Sequence, residues 1–176
     1  MVYVKLNKCA STAIARMVQD SCTVLHYTRI APRNGRPGGW LARERIKDDF
    51  CFTAVRHPDT RAVSMFQHCL RLGFKYSFRE WLEKDFTEME PSERAHSMRM
   101  TDFVTDCAGL GILDTAFRIE DGDLERKIQV LTGTTNTLGR EAVGGYGEMN
   151  ISDYEMELIR KKYFLDFENF GYNPTA

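Results

Sequence analysis

The chain is predicted to be a single three-layer α/β domain with a mainly parallel sheet. β-like and α-like patterns alternate along its 176 residues, the order that βαβ units produce. The length suits one domain with a full hydrophobic core, and neither an internal repeat nor a linker interrupts it. With 43% hydrophobic and 28% charged residues, the composition is that of a globular chain.

The elements follow in order. Val2–Leu6 is apolar and reads as a buried strand. Ser11–Gln19 reads as a helix with Ile14, Met17 and Val18 on one face. Cys22–Tyr27 reads as a second strand, and the turn residues of Pro32–Gly39 as a loop. Phe50–Val55 reads as a third strand, and Pro58 suits the first position of the helix after it. That helix is expected to carry Val63, Phe66 and Leu70 on one face and Arg61, Ser64 and His68 on another. Residues 77–84 and 92–106 read as helices, Ile112–Ile119 as a fourth strand and Leu124–Leu131 as a helix. Thr132–Asn150 is rich in Gly and Thr and reads as a loop. A last helix starts near Ser152, with Met156, Ile159 and Tyr163 sharing a face.

Composition excludes some functions. A net charge of -1 gives no reason to expect a nucleic-acid partner, so any basic site is local. The apolar runs are too short to span a membrane. Met1–Lys5 enters a strand pattern directly and lacks a secretory leader pattern, so a cytoplasmic location is expected. Five scattered cysteines without a Cys-x-x-Cys pair read as reduced core thiols, and no metal-ligand spacing is found. Cys9 is either a reactive thiol in a polar turn or a small residue that fits a tight one.

Two stretches look built to hold anions. Lys5–Ala13 runs from a strand through a turn bearing Lys8 into a helix that starts with Ser11, Thr12 and Ala13. Phe52–Ser64 runs from a strand through Arg56, His57 and Pro58 into a helix with Arg61 and Ser64 one turn on. Helix starts bind anions because their first N–H groups are unpaired and the helix dipole is positive there. In a parallel sheet both turns fall at the carboxyl edge, where such sheets bind ligands. A ligand with two separated anionic groups is the expectation. The Gly-x-x-x-x-Gly-Lys-Ser/Thr and Gly-x-Gly-x-x-Gly patterns are absent, which argues against an ordinary ATPase or a dinucleotide oxidoreductase.

At these residues the chain resembles the sulfotransferases that use 3′-phosphoadenosine 5′-phosphosulfate (PAPS), most of all their carbohydrate branch. Asn7-Lys8-Cys9-Ala10-Ser11-Thr12 resembles their 5′-phosphosulfate loop, and Val55 through Ser64 resembles their 3′-phosphate motif. Phe117-Arg118-Ile119-Glu120 is similar to a strand end of that family. Tyr163, Asp166, Phe167, Phe170, Gly171 and Tyr172 resemble its C-terminal ending, and His96 through Phe103 faintly resembles an internal stretch. The resemblance implies a P-loop-kinase-like sulfotransferase fold. It implies transfer of a sulfuryl group from PAPS to a hydroxyl or amine acceptor such as a carbohydrate, with release of adenosine 3′,5′-bisphosphate (PAP) and no metal. A non-catalytic PAP- or PAPS-binding protein of the same fold is the other expectation.

The implied roles follow from charge. Lys8, with N–H groups of Cys9, Ala10, Ser11, Thr12 and Ala13, neutralises the 5′-phosphate and its leaving oxygen. Arg56 and Ser64 hold the 3′-phosphate; Arg61 either assists, pairs with Glu120 or is solvated. The general base is His26, at the end of the second strand, or Glu44. The glycine-rich stretch Thr134–Asn150 is either a plain surface loop or a lid that orders over the nucleotide, with Arg140 reaching a phosphate.

Overall fold

The computed structural model describes residues 1–26, 46, 48–105, 111–139 and 149–174. The fold is α/β. Four strands form one sheet: β1 (Val2–Lys5), β2 (Thr23–His26), β3 (Cys51–Val55) and β4 (Thr115–Arg118), in the order β2-β1-β3-β4. Every pairing is parallel. The central strands β1 and β3 are apolar along nearly their whole length because parallel strands bury both faces. Lys5 ends β1 at its half-buried edge, and the buried Thr53 hydroxyl is satisfied by donating to the Val4 carbonyl at 2.6 Å.

The chain groups into two compact units, Met1–Arg56 with Met100–Ala142, and His57–Arg99 with Val143–Ala176. The first holds the sheet, α1 (Ser11–Val18), α5 (Met100–Val104) and α6 (Leu124–Thr132). Its core joins Ile14, Met17 and Val18 of α1 to Tyr3 and to Phe52 and Ala54 of the sheet, and to Leu124 and Ile128 of α6. Side chains alternate across a strand, so one sheet face takes Tyr3, Phe52 and Ala54. Truncating Ile14 or Phe52 there to alanine costs about 2–5 kcal/mol. β4 is shorter than the expected strand over 112–119. Asp114 stops the run by bonding both backbone groups of Cys51: its N–H donates to the Cys51 carbonyl at 2.8 Å, and its carboxylate accepts from the Cys51 N–H at 2.7 Å.

The second unit is helical: α2 (Pro58–Arg71), α3 (Phe78–Glu83), α4 (Pro91–Ser97), α7 (Asp153–Lys162) and α8 (Phe164–Asn169). Phe66, Phe78 and Trp81 pack ring on ring, with centroids 5.1–5.9 Å apart. The Trp81 indole N–H donates to the Ser97 hydroxyl at 3.2 Å, so this large ring is buried with its polar end satisfied.

Three expectations are corrected. The buried stripe of α2 is Ala62, Met65, Phe66 and Cys69, with Arg61 and Ser64 beside it, and Leu70 is exposed. The single helix expected over 92–106 is two. Met98 is extended (ψ 153) and breaks the run between α4 and α5, and its carbonyl accepts from Arg61 instead of from a helical N–H. The last helix is also two, since the chain leaves helical geometry at Tyr163 before α8 begins.

Candidate functional site

The turn from β1 to α1 is shaped by its side chains. Leu6 and Cys9 are wholly buried, Asn7 nearly so, Lys8 half-buried and Ala10 exposed. The inward residues pull the backbone into a tight course. Lys8 (φ 65) and Ala10 (φ 52) both take the left-handed conformation. That region costs a residue with a Cβ about 1–2 kcal/mol. Strain of this kind persists only where the surroundings enforce it, and it gathers at ligand sites.

Ala10 is the N-cap of α1 and offers no side-chain cap. The Ile14 N–H donates to the Ala10 carbonyl at 3.1 Å, so the N–H groups of Ser11, Thr12 and Ala13 precede it and have no partner within the helix. With left-handed residues just before them, these groups form a concave, positively polarised turn. The Cys9 side chain is not part of that surface. Its thiol donates to the Asn7 carbonyl at 3.5 Å and touches the Met100 sulfur at 3.6 Å. Cys9 is therefore a packing residue, and any ligand role it has falls to its backbone.

Register brings further cations to the same edge. Tyr3 pairs with Phe52, so Arg56 comes level with Asn7 when the β1–β3 register is continued. Lys5 pairs with His26, and Val55 pairs with Arg118. Lys5, His26 and Arg118 thus end three of the four strands, with Arg56 just after the fourth and Lys8 in the turn that follows β1. The Lys5 ammonium is held below the usual lysine value, by burial first and by the nearby Arg16 second. This is a locally basic edge in a chain of net charge -1. Arg118 was noted in the sequence only as part of a strand-end pattern. Its place level with Val55, the residue before Arg56, depends on β4 pairing with β3, which sequence spacing does not reveal.

The remaining expected residues fare differently. Arg61 is corrected: it is 1% exposed inside the second unit. Its guanidinium donates to the Met98 carbonyl at 3.0 Å and lies 3.6 Å from the buried Asp166 carboxylate. It is neither solvated nor presented to a ligand. Ser64, on the same unit's α2, is 4% exposed. His57 caps α2, its Nδ1 accepting from the Asp59 N–H at 3.4 Å, with its ring edge-on to Phe167 and Tyr172. Glu44, Arg140 and Cys107 lie outside the described residues, as does most of the expected lid. The start of that lid is anchored. The Thr134 hydroxyl and the Asn136 amide both donate to the Met17 carbonyl, at 3.2 and 3.0 Å, and the Leu138 N–H donates to Glu125 at 3.0 Å.

Comparison with models of known protein families, with curated proteins and with solved structures returns no match.

Among the described residues no group of three or more His, Cys, Asp or Glu side chains is placed to hold a metal ion, and no helix is long and apolar enough to cross a membrane. Cys9, Cys22, Cys51 and Cys69 are thiols, and burial pushes the Cys22 and Cys51 thiols up, Cys51 to about 11. Cys9, Cys51 and Cys69 are buried packing residues. The chemistry this edge offers is cationic, from the start of α1 and from Arg56 just after β3.

Proposed function

We propose that the chain is a PAPS-dependent sulfotransferase of P-loop-kinase-like fold, acting on a hydroxyl or amine acceptor such as a carbohydrate. The observation that carries this reading is the left-handed Lys8–Ala10 turn at the uncapped start of α1, with Arg56 level with it at the end of the neighbouring strand. The chain's own residues fit such a donor. The turn offers N–H groups and an ammonium to one phosphate, and Arg56 offers a planar fork to another. The resemblance of Asn7–Thr12 and Val55–Arg56 to sulfotransferase motifs supports the same pairing.

In this reading Lys8 and the N–H groups of Ser11, Thr12 and Ala13 stabilise negative charge that grows on the leaving phosphate oxygen. Arg56 binds a 3′-phosphate that takes no part in bond breaking, so its contribution is positioning. Ser64 and Arg61 are not needed. His26, at the end of β2, takes the acceptor proton.

Transfer of radiolabelled sulfate from PAPS to a panel of sugars, phenols and amines tests the proposal. Label on an acceptor supports it. PAP binding without transfer to any acceptor points instead to a nucleotide-binding protein of the same fold, and failure to bind PAP ends both readings.

A further inference from the structure

Lys8 and Ala10 adopt positive φ without being glycine, and Cys9 lies between them. Neither residue has the freedom of glycine, and Ala10 brings no side-chain cap to the start of α1. What does lie between the two strained residues is a wholly buried side chain. The Cys9 thiol donates back to the Asn7 carbonyl at 3.5 Å, and its sulfur meets the Met100 sulfur at 3.6 Å. Met100 is the first residue of α5, and both sulfurs are fully buried in the same unit.

We infer that Cys9 and Met100 are positioning residues for the anion-binding turn. The sulfur contact seats Cys9, the seated Cys9 leaves Lys8 and Ala10 no choice but the left-handed conformation, and that conformation aims the turn outward. The device deepens the reading above and rests on it for its ligand, whereas its geometry is a property of the unliganded chain. The sulfurs suit the task. Thioether and thiol are soft and polarisable, so they fill an irregular gap closely without demanding hydrogen-bond partners. Close packing at this point matters because a gap of half an ångström already forfeits much of the contact.

The test uses the whole chain with Met100→Ala, Met100→Leu and Cys9→Ala. Two quantities are read for each: backbone chemical shifts and couplings that report the sign of φ at Lys8 and Ala10, and PAP affinity by calorimetry. Met100→Leu fills nearly the same volume. It should keep both positive φ values and bind PAP within about twofold of the unaltered chain. Met100→Ala and Cys9→Ala should lose the positive-φ signature at one or both residues. They should bind PAP about tenfold more weakly, the factor that corresponds to releasing one left-handed residue. If Met100→Ala does not fold, Cys9→Ala, the smaller deletion, decides. A purely structural role would lower the melting temperature and leave φ and affinity alone, and that result overturns the inference. So does loss of the φ signature with unchanged affinity, or weakened affinity with φ intact. If the unaltered chain fails to bind PAP, the proposed function falls, and the φ readout alone still decides whether the sulfur pair shapes the turn.

Discussion

Lys162 gives the sharpest stability prediction. It ends α7 with its ammonium donating to the carbonyls of Leu82 and Lys84, which lie at the end of α3, and it rests 4.6 Å from the Phe86 ring centroid. Asp85, Glu88 and Glu93 favour its charge, and Lys84 opposes it. Burial outweighs them and pushes its pKa from 10.5 down to about 8. The sign follows from proton counting. Between about pH 8 and 10.5 the unfolded chain holds a proton on this lysine that the folded chain has released, so folding stability rises with pH across that window. The gain from pH 7 to pH 9 is on the order of 1 kcal/mol. Cys22 and Cys51 shift the other way, since their raised folded values keep protons that the unfolded thiols lose, which lowers stability as pH rises toward 9 and beyond. The informative quantity is therefore the difference between the unaltered chain and Lys162→Met, in which the cysteines cancel. Urea unfolding followed by tryptophan fluorescence at pH 7, 8 and 9 measures it. The stability difference should move by on the order of 1 kcal/mol in favour of the unaltered chain between pH 7 and 9. A flat difference, or one moving the other way, refutes the argument that burial dominates this site.

Other outcomes are as definite. Lys8→Ala should lower turnover about 100- to 1000-fold at saturating PAPS, with a much smaller change in PAP affinity; near-normal turnover would remove Lys8 from the transition state. Arg61→Met should destabilise the chain by about 3–5 kcal/mol because it removes the guanidinium 3.6 Å from the buried Asp166 carboxylate, and adding Asp166→Leu should recover part of that loss; urea titrations of the two variants check this.

The sequence made the sheet legible because buried parallel strands leave plain apolar runs. Val2–Lys5 and Cys51–Val55 are such runs, and each is followed by a turn with a basic residue. Helix starts were legible where capping chemistry marks them, as at Pro58 after His57 and at Ser152, whose hydroxyl accepts from the Glu155 N–H at 3.3 Å. What was not legible depended on partners remote in the chain. Arg61 looks like a ligand residue by its spacing from Arg56, and only the arrival of Asp166 and the Met98 carbonyl turns it inward. The Met98 carbonyl that Arg61 bonds belongs to the extended residue at which the helix expected over 92–106 divides. The C-terminal residues noted as a family pattern have concrete work in the second unit. The Tyr163 hydroxyl donates to the Ser97 carbonyl at 2.9 Å, Asp166 faces Arg61, and Phe167 and Tyr172 hold the His57 ring. Arg118 was missed as a member of the basic edge because strand order, not spacing, puts β4 beside β3. The strain at Lys8 and Ala10 left no trace in the sequence, since a turn of this kind ordinarily announces itself with glycine.

The central claim is that two anionic groups of one nucleotide are read at the carboxyl edge of the sheet, one by the Lys8 turn and one by Arg56. Parallel calorimetric titrations of PAP and adenosine 5′-phosphate, with the unaltered chain and with Arg56→Ala, test it most directly. A charge-assisted contact to the extra phosphate contributes roughly 1.5–3 kcal/mol, so PAP should bind at least about tenfold more tightly than adenosine 5′-phosphate, and Arg56→Ala should abolish most of that preference. Equal affinity of the unaltered chain for the two nucleotides would contradict the account.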